Sequence, residues 1–324
     1  MRMQLGAVAL AISLGAIETA AAQVYPSRAI TLIVPYPAGA ANDAIARILA
    51  ERMRRSLGQP VIIENVAGAS GTIGTGRVAR AAPDGYTLDI GGWVGHVVNG
   101  AVYPLKYDLV NDFEPVSLIA TQPIVIVGKK SLPANHLGEL IAWLKANPDT
   151  AVQGAAGVGT TGHVAGVFFQ KQTDTRYQIV PYRGLGLALN DLVAGQIDFM
   201  IDLPVNSLPQ VRVGTIKGYA VTANSRLAAA PDLPTVDEAG LAGFYISTWS
   251  ALWLPKGTPK DVIAKLNGAV VDALADPVVR QRLADVGQEI FSREQQTPDA
   301  LRAFHKAEIE KWWPIIKAAG IKVR

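Results

Sequence analysis

Between about residues 29 and 222, short apolar runs rich in branched residues alternate with apolar stripes at helical spacing. This alternation constrains the fold more than any other feature of the chain. Residues 29–35 (AITLIVP) read as a buried strand, and Ile45, Ile48, Leu49, Met53 and Leu57 then repeat at helical spacing until Gly58 and Pro60 stop the helix. The same reading gives further strands at 61–64, 86–90, 124–127, 150–153, 177–181, 197–201 and 217–222. Helices are expected after the glycine-rich stretch 68–76, over 137–144, from the loop 154–162 through Phe168, and over 185–194. The last third is helical at 259–274, 277–286 and 298–319, each opening with proline in or just before its first turn. Strand and helix in alternation argue for an α/β fold with mostly parallel sheets, in two similar halves near 24–120 and 124–222.

Composition narrows the function classes. A chain of 324 residues suits two domains of roughly 150 each, and 49% apolar against 18% charged residues excludes disorder as its general state. With no cysteine, disulfide frameworks, iron–sulfur clusters, thiolate zinc sites and cysteine nucleophiles all fall away. The four histidines, His96, His136, His163 and His305, have no metal-motif spacing, so neither a metal nor a cofactor is expected. A net charge of +3, with only Arg52/Arg54/Arg55 and Lys129-Lys130 as runs, lacks the cation clustering of nucleic-acid binders. Residues 1–22 read as an export signal: Arg2, an apolar run over 5–17, then Ala20-Ala21-Ala22 as a cleavage site. The run is too short to span a bilayer comfortably, and no cysteine can carry a lipid. The expectation is a soluble exported protein.

Two loops sit where open α/β sheets bind ligands, between the carboxyl end of a strand and the next helix. The first holds Tyr36, Pro37, Ala38, Gly39 and Ala40, followed by Asn42 and Asp43, either of which can cap the helix. The second spans 154–163 and holds Gly157, Gly159, Thr160, Thr161 and His163. Small residues let a ligand approach the backbone, and the free N–H groups of the following helix favour an anion such as a carboxylate or phosphate. The second loop matches G-x-G-x-x-G, but the strand after it ends Val180-Pro181-Tyr182-Arg183 with no acid for a ribose, which argues against a dinucleotide. No serine-nucleophile or phosphate-loop pattern occurs.

Other candidates carry two readings each. Asp202 follows an apolar strand and either meets a ligand amine or hydroxyl, directly or through water, or caps a turn or helix. Trp93 and His96 either form an aromatic wall with a carboxylate partner or pack a loop. Tyr182 and Arg183 follow a strand, and Arg183 pairs with a distal ligand carboxylate or with a surface acid. Trp249, Trp253, Trp312 and Trp313 read as core or inter-domain packing.

The stations Ile33-Val34-Pro35-Tyr36-Pro37-Ala38-Gly39, Leu57-Gly58-Gln59-Pro60-Val61, Ala82-Pro83-Asp84-Gly85-Tyr86-Thr87-Leu88, Asp112-Phe113-Glu114-Pro115-Val116, Val180-Pro181-Tyr182-Arg183-Gly184, Gly195-Gln196-Ile197-Asp198, Leu233-Pro234-Thr235 and Pro255-Lys256-Gly257-Thr258-Pro259 are weak singly and specific in this order. Over the whole chain after the export signal they resemble the substrate-binding proteins of tripartite tricarboxylate transporters, the Bug (Bordetella uptake gene) family. The resemblance implies a type II periplasmic binding protein whose two lobes flank a ligand cleft and are joined by crossing strands. Lobe 1 would be 23–122 plus 224–324 and lobe 2 would be 123–223. It further implies a small organic carboxylate (a di- or tricarboxylate, an acidic amino acid or an aromatic acid) held against the two loops and Asp202. Hinge closure would deliver it to a membrane permease, with the receptor in the periplasm, monomeric and not an enzyme. A sensor for a membrane signalling partner, or a secreted enzyme on the same fold, are the rival functions. The family's first loop has a second glycine where this chain has Ala40, and the segment from Trp93 to His96 is bulkier than usual, so both are expected to reshape the pocket.

Overall fold

The computed structural model describes residues 25–322, and the export-signal assignment at 1–22 lies outside them. Strand β1 (Ile30–Val34) is buried at four of five positions, as a continuous branched run should be. Helix α1 (Ala41–Leu57) buries Ile45, Ile48, Leu49, Met53 and Leu57, and Gly58 ends it at φ 69°, its N–H donating to Arg54 O at 3.0 Å. There follow β2 (Val61–Asn65), a short 3-10 turn, α2 (Thr72–Ala79), β3 (Thr87–Gly92), a π-turn at Val94–Val98, and the single-turn α3 (Asn99–Val102). Next come β4 (Phe113–Pro123), β5 (Val125–Lys129), α4 (Leu137–Ala146), β6 (Val152–Ala155) and α5 (Thr161–Thr173). The chain continues through β7 (Gln178–Pro181), α6 (Leu185–Val193), β8 (Phe199–Asp202), α7 (Pro204–Arg212), β9 (Ile216–Val221), β10 (Ser247–Pro255), α8 (Lys260–Ala275), α9 (Pro277–Asp285), β11 (Glu289–Ile290) and α10 (Pro298–Ala318). Among the described residues, no helix is long and apolar enough to cross a membrane.

The strands form two sheets, ordered β11-β4-β10-β3-β1-β2 and β7-β6-β8-β5-β9. Their alternating strand–helix units are parallel, β1 with β2 and β3, and β6 with β7 and β8. The strands that carry the chain between sheets are not: β10 is antiparallel to β3 and β4, and β5 to β8 and β9. The expectation of mostly parallel sheets thus holds for the strand–helix units and fails for the sheets as wholes. A crossing strand enters from the other sheet and needs no helical crossover, so nothing forces it parallel.

The chain passes from the first sheet to the second at Ile124, between β4 and β5. The return lies beside it, where Ser247 of β10 pairs with Pro123 of β4. Thr222, fully buried, ties the two passages: its hydroxyl donates to Ile246 O at 2.6 Å and accepts from Ile124 N–H at 3.1 Å. Residues 224–246, assigned to lobe 1 by the resemblance, pack on the second sheet instead. Leu227 and Leu233 share a core with Val125, Met200 and Val221, and Thr235 bridges to Val221. Along one edge α10 joins the two units through aromatic rings. Trp312 packs edge-on against Trp93 at 5.1 Å and Phe168 at 5.4 Å, and Phe168 stacks on Phe244 at 5.2 Å.

Candidate functional site

A cavity of about 840 Å³ lies between the two sheets, at the carboxyl ends of β1, β6, β7 and β8. Four helix N-termini open onto it, those of α1 (Ala40, Ala41), α5 (Thr160, Thr161, Gly162), α6 (Gly184, Leu185) and α7 (Leu203, Val205). None of the four has a side-chain cap. Thr160 has the right chemistry for one, but its hydroxyl donates to Gly157 O at 2.7 Å. Of the other helices, α4, α9 and α10 are capped by His136, Asp276 and Thr297, whereas α2, α3 and α8 have no side-chain cap. The first-turn N–H groups of the cleft helices are therefore left for a ligand, with the positive ends of the helix dipoles behind them. Of the residues lining the cavity, only Arg183 and Asp202 are charged, and Arg183 has no carboxylate partner among the described residues. The arrangement offers an anion oriented N–H groups rather than a cluster of cations.

The first loop delivers Tyr36, Pro37, Gly39 and Ala40 to the cavity, and Ala38 does not line it. Gly39 takes the positive φ, 85°, while Ala40 sits at φ −69°, where a Cβ meets no backbone strain. The exchange of glycine for Ala40 thus leaves the loop unstrained. Asp43 does not line the cavity. It is buried, accepts Gly39 N–H at 2.9 Å and Asn65 Nδ2 at 3.0 Å, and pairs bidentately with Arg47, so it braces the loop from within. Arg47, then burial opposing it, then Gly39 N–H set its carboxyl at about 2. Asn42 lines a small side chamber and donates to Ile90 O at 3.2 Å.

In the second loop Thr160 and Thr161 reach the cavity and Gly157, Gly159 and His163 do not. Gly157 and Gly159 supply the positive φ angles, 120° and 77°, that turn the chain into α5. His163 Nδ1 accepts Gly159 N–H at 3.4 Å, and burial holds its pKa below the usual histidine value. Gly159 also approaches Val102 of the opposite unit: a Cβ there would lie 3.3 Å from Val102 Cγ1, so the two units touch across the cleft.

Asp202 lines the cavity at the N-terminus of α7 and is 2% exposed. Burial raises its pKa, opposed by Ser207 Oγ at 2.6 Å, the Leu203 N–H and Asn206 Nδ2 at 3.3 Å. Tyr182 turns away and donates to Asp191 at 2.7 Å, with its phenol pushed up to about 12 by burial and that carboxylate. Trp93 borders the side chamber, but its indole is buried against Trp312, so it builds no aromatic wall. His96 is fully buried beneath the first sheet, bonded to Asp89 at 2.8 Å and stacked on Trp253 at 4.3 Å. The reading of Trp93 and His96 as a ligand wall therefore gives way to packing: the π-turn after β3 rotates both rings inward.

Sequence reasoning missed Ser70, Val205, Asn206, Val286 and Gln288, all on the cavity. The α7 residues had a signal, Pro204 two residues past an apolar strand, where proline opens a helix. Gln288 had none, because the turn after α9 is brought to the cleft only by tertiary packing.

The model of the tripartite tricarboxylate transporter family receptors (TctC) matches residues 45–321. Protein BugT of Bordetella pertussis is 34% identical over 305 residues, 94% of this chain and 93% of that protein. Two solved structures are also similar. MatC from Rhodopseudomonas palustris with bound malate is 38% identical at TM-score 0.79, covering 90% of this chain and all of that one. The R. palustris protein Rpa4515 with adipate is 33% identical at TM-score 0.81, covering 92% of this chain and all of that one. This is a family of receptors rather than enzymes. The protein belongs to it, as a Bug-type solute-binding protein of two α/β lobes around a ligand cleft.

Proposed function

We propose that this protein is a periplasmic receptor for a small organic carboxylate and that it hands this ligand to a membrane permease of the tripartite tricarboxylate type. The observation that carries the reading is the convergence of four uncapped helix N-termini on one cavity. Each N-terminus presents N–H groups with no internal partner, and an anion satisfies them where water would do so less well. Tyr36 and the loop to Ala40 contact the ligand from one lobe, and Thr160, Thr161, Arg183 and Asp202 from the other. Malate and adipate, bound by the two R. palustris proteins, are of the right class.

Mechanistically, the two lobes are 25–123 with 247–322, and 124–246, hinged at the paired passages that Thr222 clips together. The ligand touches both lobes, so it favours the closed arrangement by its differential contacts. That closed face is what a permease reads. Arg183 steers the anion and pairs with a distal carboxylate, and Asp202 selects against ligands that put a second negative charge beside it. The receptor acts as a monomer, its lobes free to hinge. The test is thermal unfolding against mono-, di- and tricarboxylates, acidic amino acids and aromatic acids. A ligand at a hundred times its Kd adds roughly 2.7 kcal/mol, or several degrees in Tm. A selective rise with one acid supports the reading, and no rise with any acid, for folded ligand-free protein, rejects it.

A further inference from the structure

A chamber of about 190 Å³ opens off the cleft at its hinge end. Gln122 of β4, Thr248 and Ser250 of β10, and Gln288 before β11 form its polar wall, and Ile45, Trp93, Val94, Leu203 and Trp249 form a larger apolar one. No charged side chain lines it. Gln122, Ser250 and Gln288 are 1%, 4% and 7% exposed. Ser250 Oγ and the Gln288 amide have no hydrogen-bond partner among the described residues, and neither is sealed from the chamber. Gln122 spends its Nε2 on Val286 O at 3.3 Å, which leaves Oε1 as an acceptor.

We infer that this chamber receives the far end of the bound acid, and that this end is an uncharged hydrogen-bond donor, a hydroxyl or a primary carboxamide. The inference rests on the carboxylate-receptor reading above. A ligand that fills the chamber strips water from these groups, so one that pairs them is selected over one that does not. A methyl terminus leaves Ser250 Oγ, Gln122 Oε1 and the Gln288 amide unpaired. A second carboxylate accepts from Ser250 and Gln288 but has nothing to donate to Gln122 Oε1, and it finds no cation in the chamber to offset its lost hydration. A hydroxyl or carboxamide can donate to Gln122 Oε1 and exchange hydrogen bonds with Ser250 and Gln288. The carboxylate of such a ligand stays at the helix N-termini, and the chamber sets which acid is taken.

The test is calorimetric titration with three probes of equal chain length: glutarate, its half-amide, and pentanoate. The half-amide is expected to bind about tenfold or more tightly than either of the others. Ser250→Val, which fills the chamber, and Gln122→Met, which keeps the volume and removes the acceptor, are each expected to collapse that preference to within about twofold. Circular dichroism confirms that each variant is folded, and either folded variant suffices. Equal affinities for the three probes, tighter binding of glutarate, or a preference that survives the substitutions overturns the chamber's role and leaves the anion seat standing. No binding by these three or by the wider carboxylate panel removes both readings.

Discussion

Asp202 is an acid buried in a cavity otherwise arranged for anions, and its raised pKa follows from that burial. When ionised it repels a bound carboxylate, and when protonated it can donate to one. Affinity for a plain carboxylate should therefore rise as pH falls from neutrality toward Asp202's raised pKa, in excess of any change due to the ligand's own titration. Asp202→Asn is expected to abolish the excess while leaving the fold intact, as titrations of both proteins across that range would show. His305 behaves oppositely with respect to stability. Buried, with its Nε2–H donated to His96 O at 2.6 Å, it titrates at about 4 against an ordinary 6.5. The unfolded chain binds the proton more readily, so stability is lost as pH falls from about 6.5 toward 4. His305→Gln, which keeps a donor for His96 O and cannot titrate there, should flatten that part of the acid limb in denaturant melts. At this scale the sequence is only partly legible. Tyr36, Gly39, Thr160 and Asp202 are readable because a strand end before a helix fixes their place. His96 and Asp43 share that neighbourhood but turn inward, a choice made by Asp89, Asn65 and Arg47, which the fold brings within hydrogen-bond reach of them.

At the scale of elements, the absence of side-chain caps on α1, α5, α6 and α7 is the feature tied to binding. A cap placed there satisfies the N–H groups internally and competes with the ligand. Ala40→Ser is expected to stabilise the free protein by ~1 kcal/mol, raising Tm by about 2–4 °C, and to weaken carboxylate binding measurably. Unchanged or tighter binding in this variant, measured by calorimetry, would remove α1 from the anion seat. β1, β5 and β8 are legible from sequence because each buries a short apolar run, and α1 because its apolar stripe ends on Gly58. β10 is not legible in this way. Its Ser247–Pro255 segment carries two tryptophans and two serines with no clean period, since both its faces are covered and its neighbours come from far along the chain. α7 and β11 escape for a similar reason, being short segments held by tertiary contacts.

For the whole molecule, the proposed hinge closure turns on the paired passages at Ile124 and Ile246, which Thr222 links through one buried hydroxyl. Thr222→Val keeps the shape and removes that link, leaving a buried N–H and a carbonyl unpaired. A cost of about 1–3 kcal/mol is expected, read as a lower midpoint in denaturant unfolding. Ligand-induced compaction, followed by small-angle scattering, should also become smaller. The aromatic seam of Trp93, Trp312, Phe168 and Phe244 holds one edge of the lobes together along α10. The two-lobe plan is legible from the repeated units and from the ordered family stations. The return passage is not, because residues 224–246 hold few regular hydrogen bonds and declare their lobe only by what they pack on.

Binding of an ionised carboxylate by oriented N–H groups in the cleft is the property on which the proposed function turns. It is tested most directly by calorimetric titration of the purified protein with a panel of organic acids, each beside its fully amidated counterpart at neutral pH. Saturable one-site binding of at least one acid, with its amide bound at least about a hundredfold more weakly (~2.7 kcal/mol), is the expected result. An amide bound as tightly as its acid, or no acid bound by folded protein free of carried-over ligand, would contradict it.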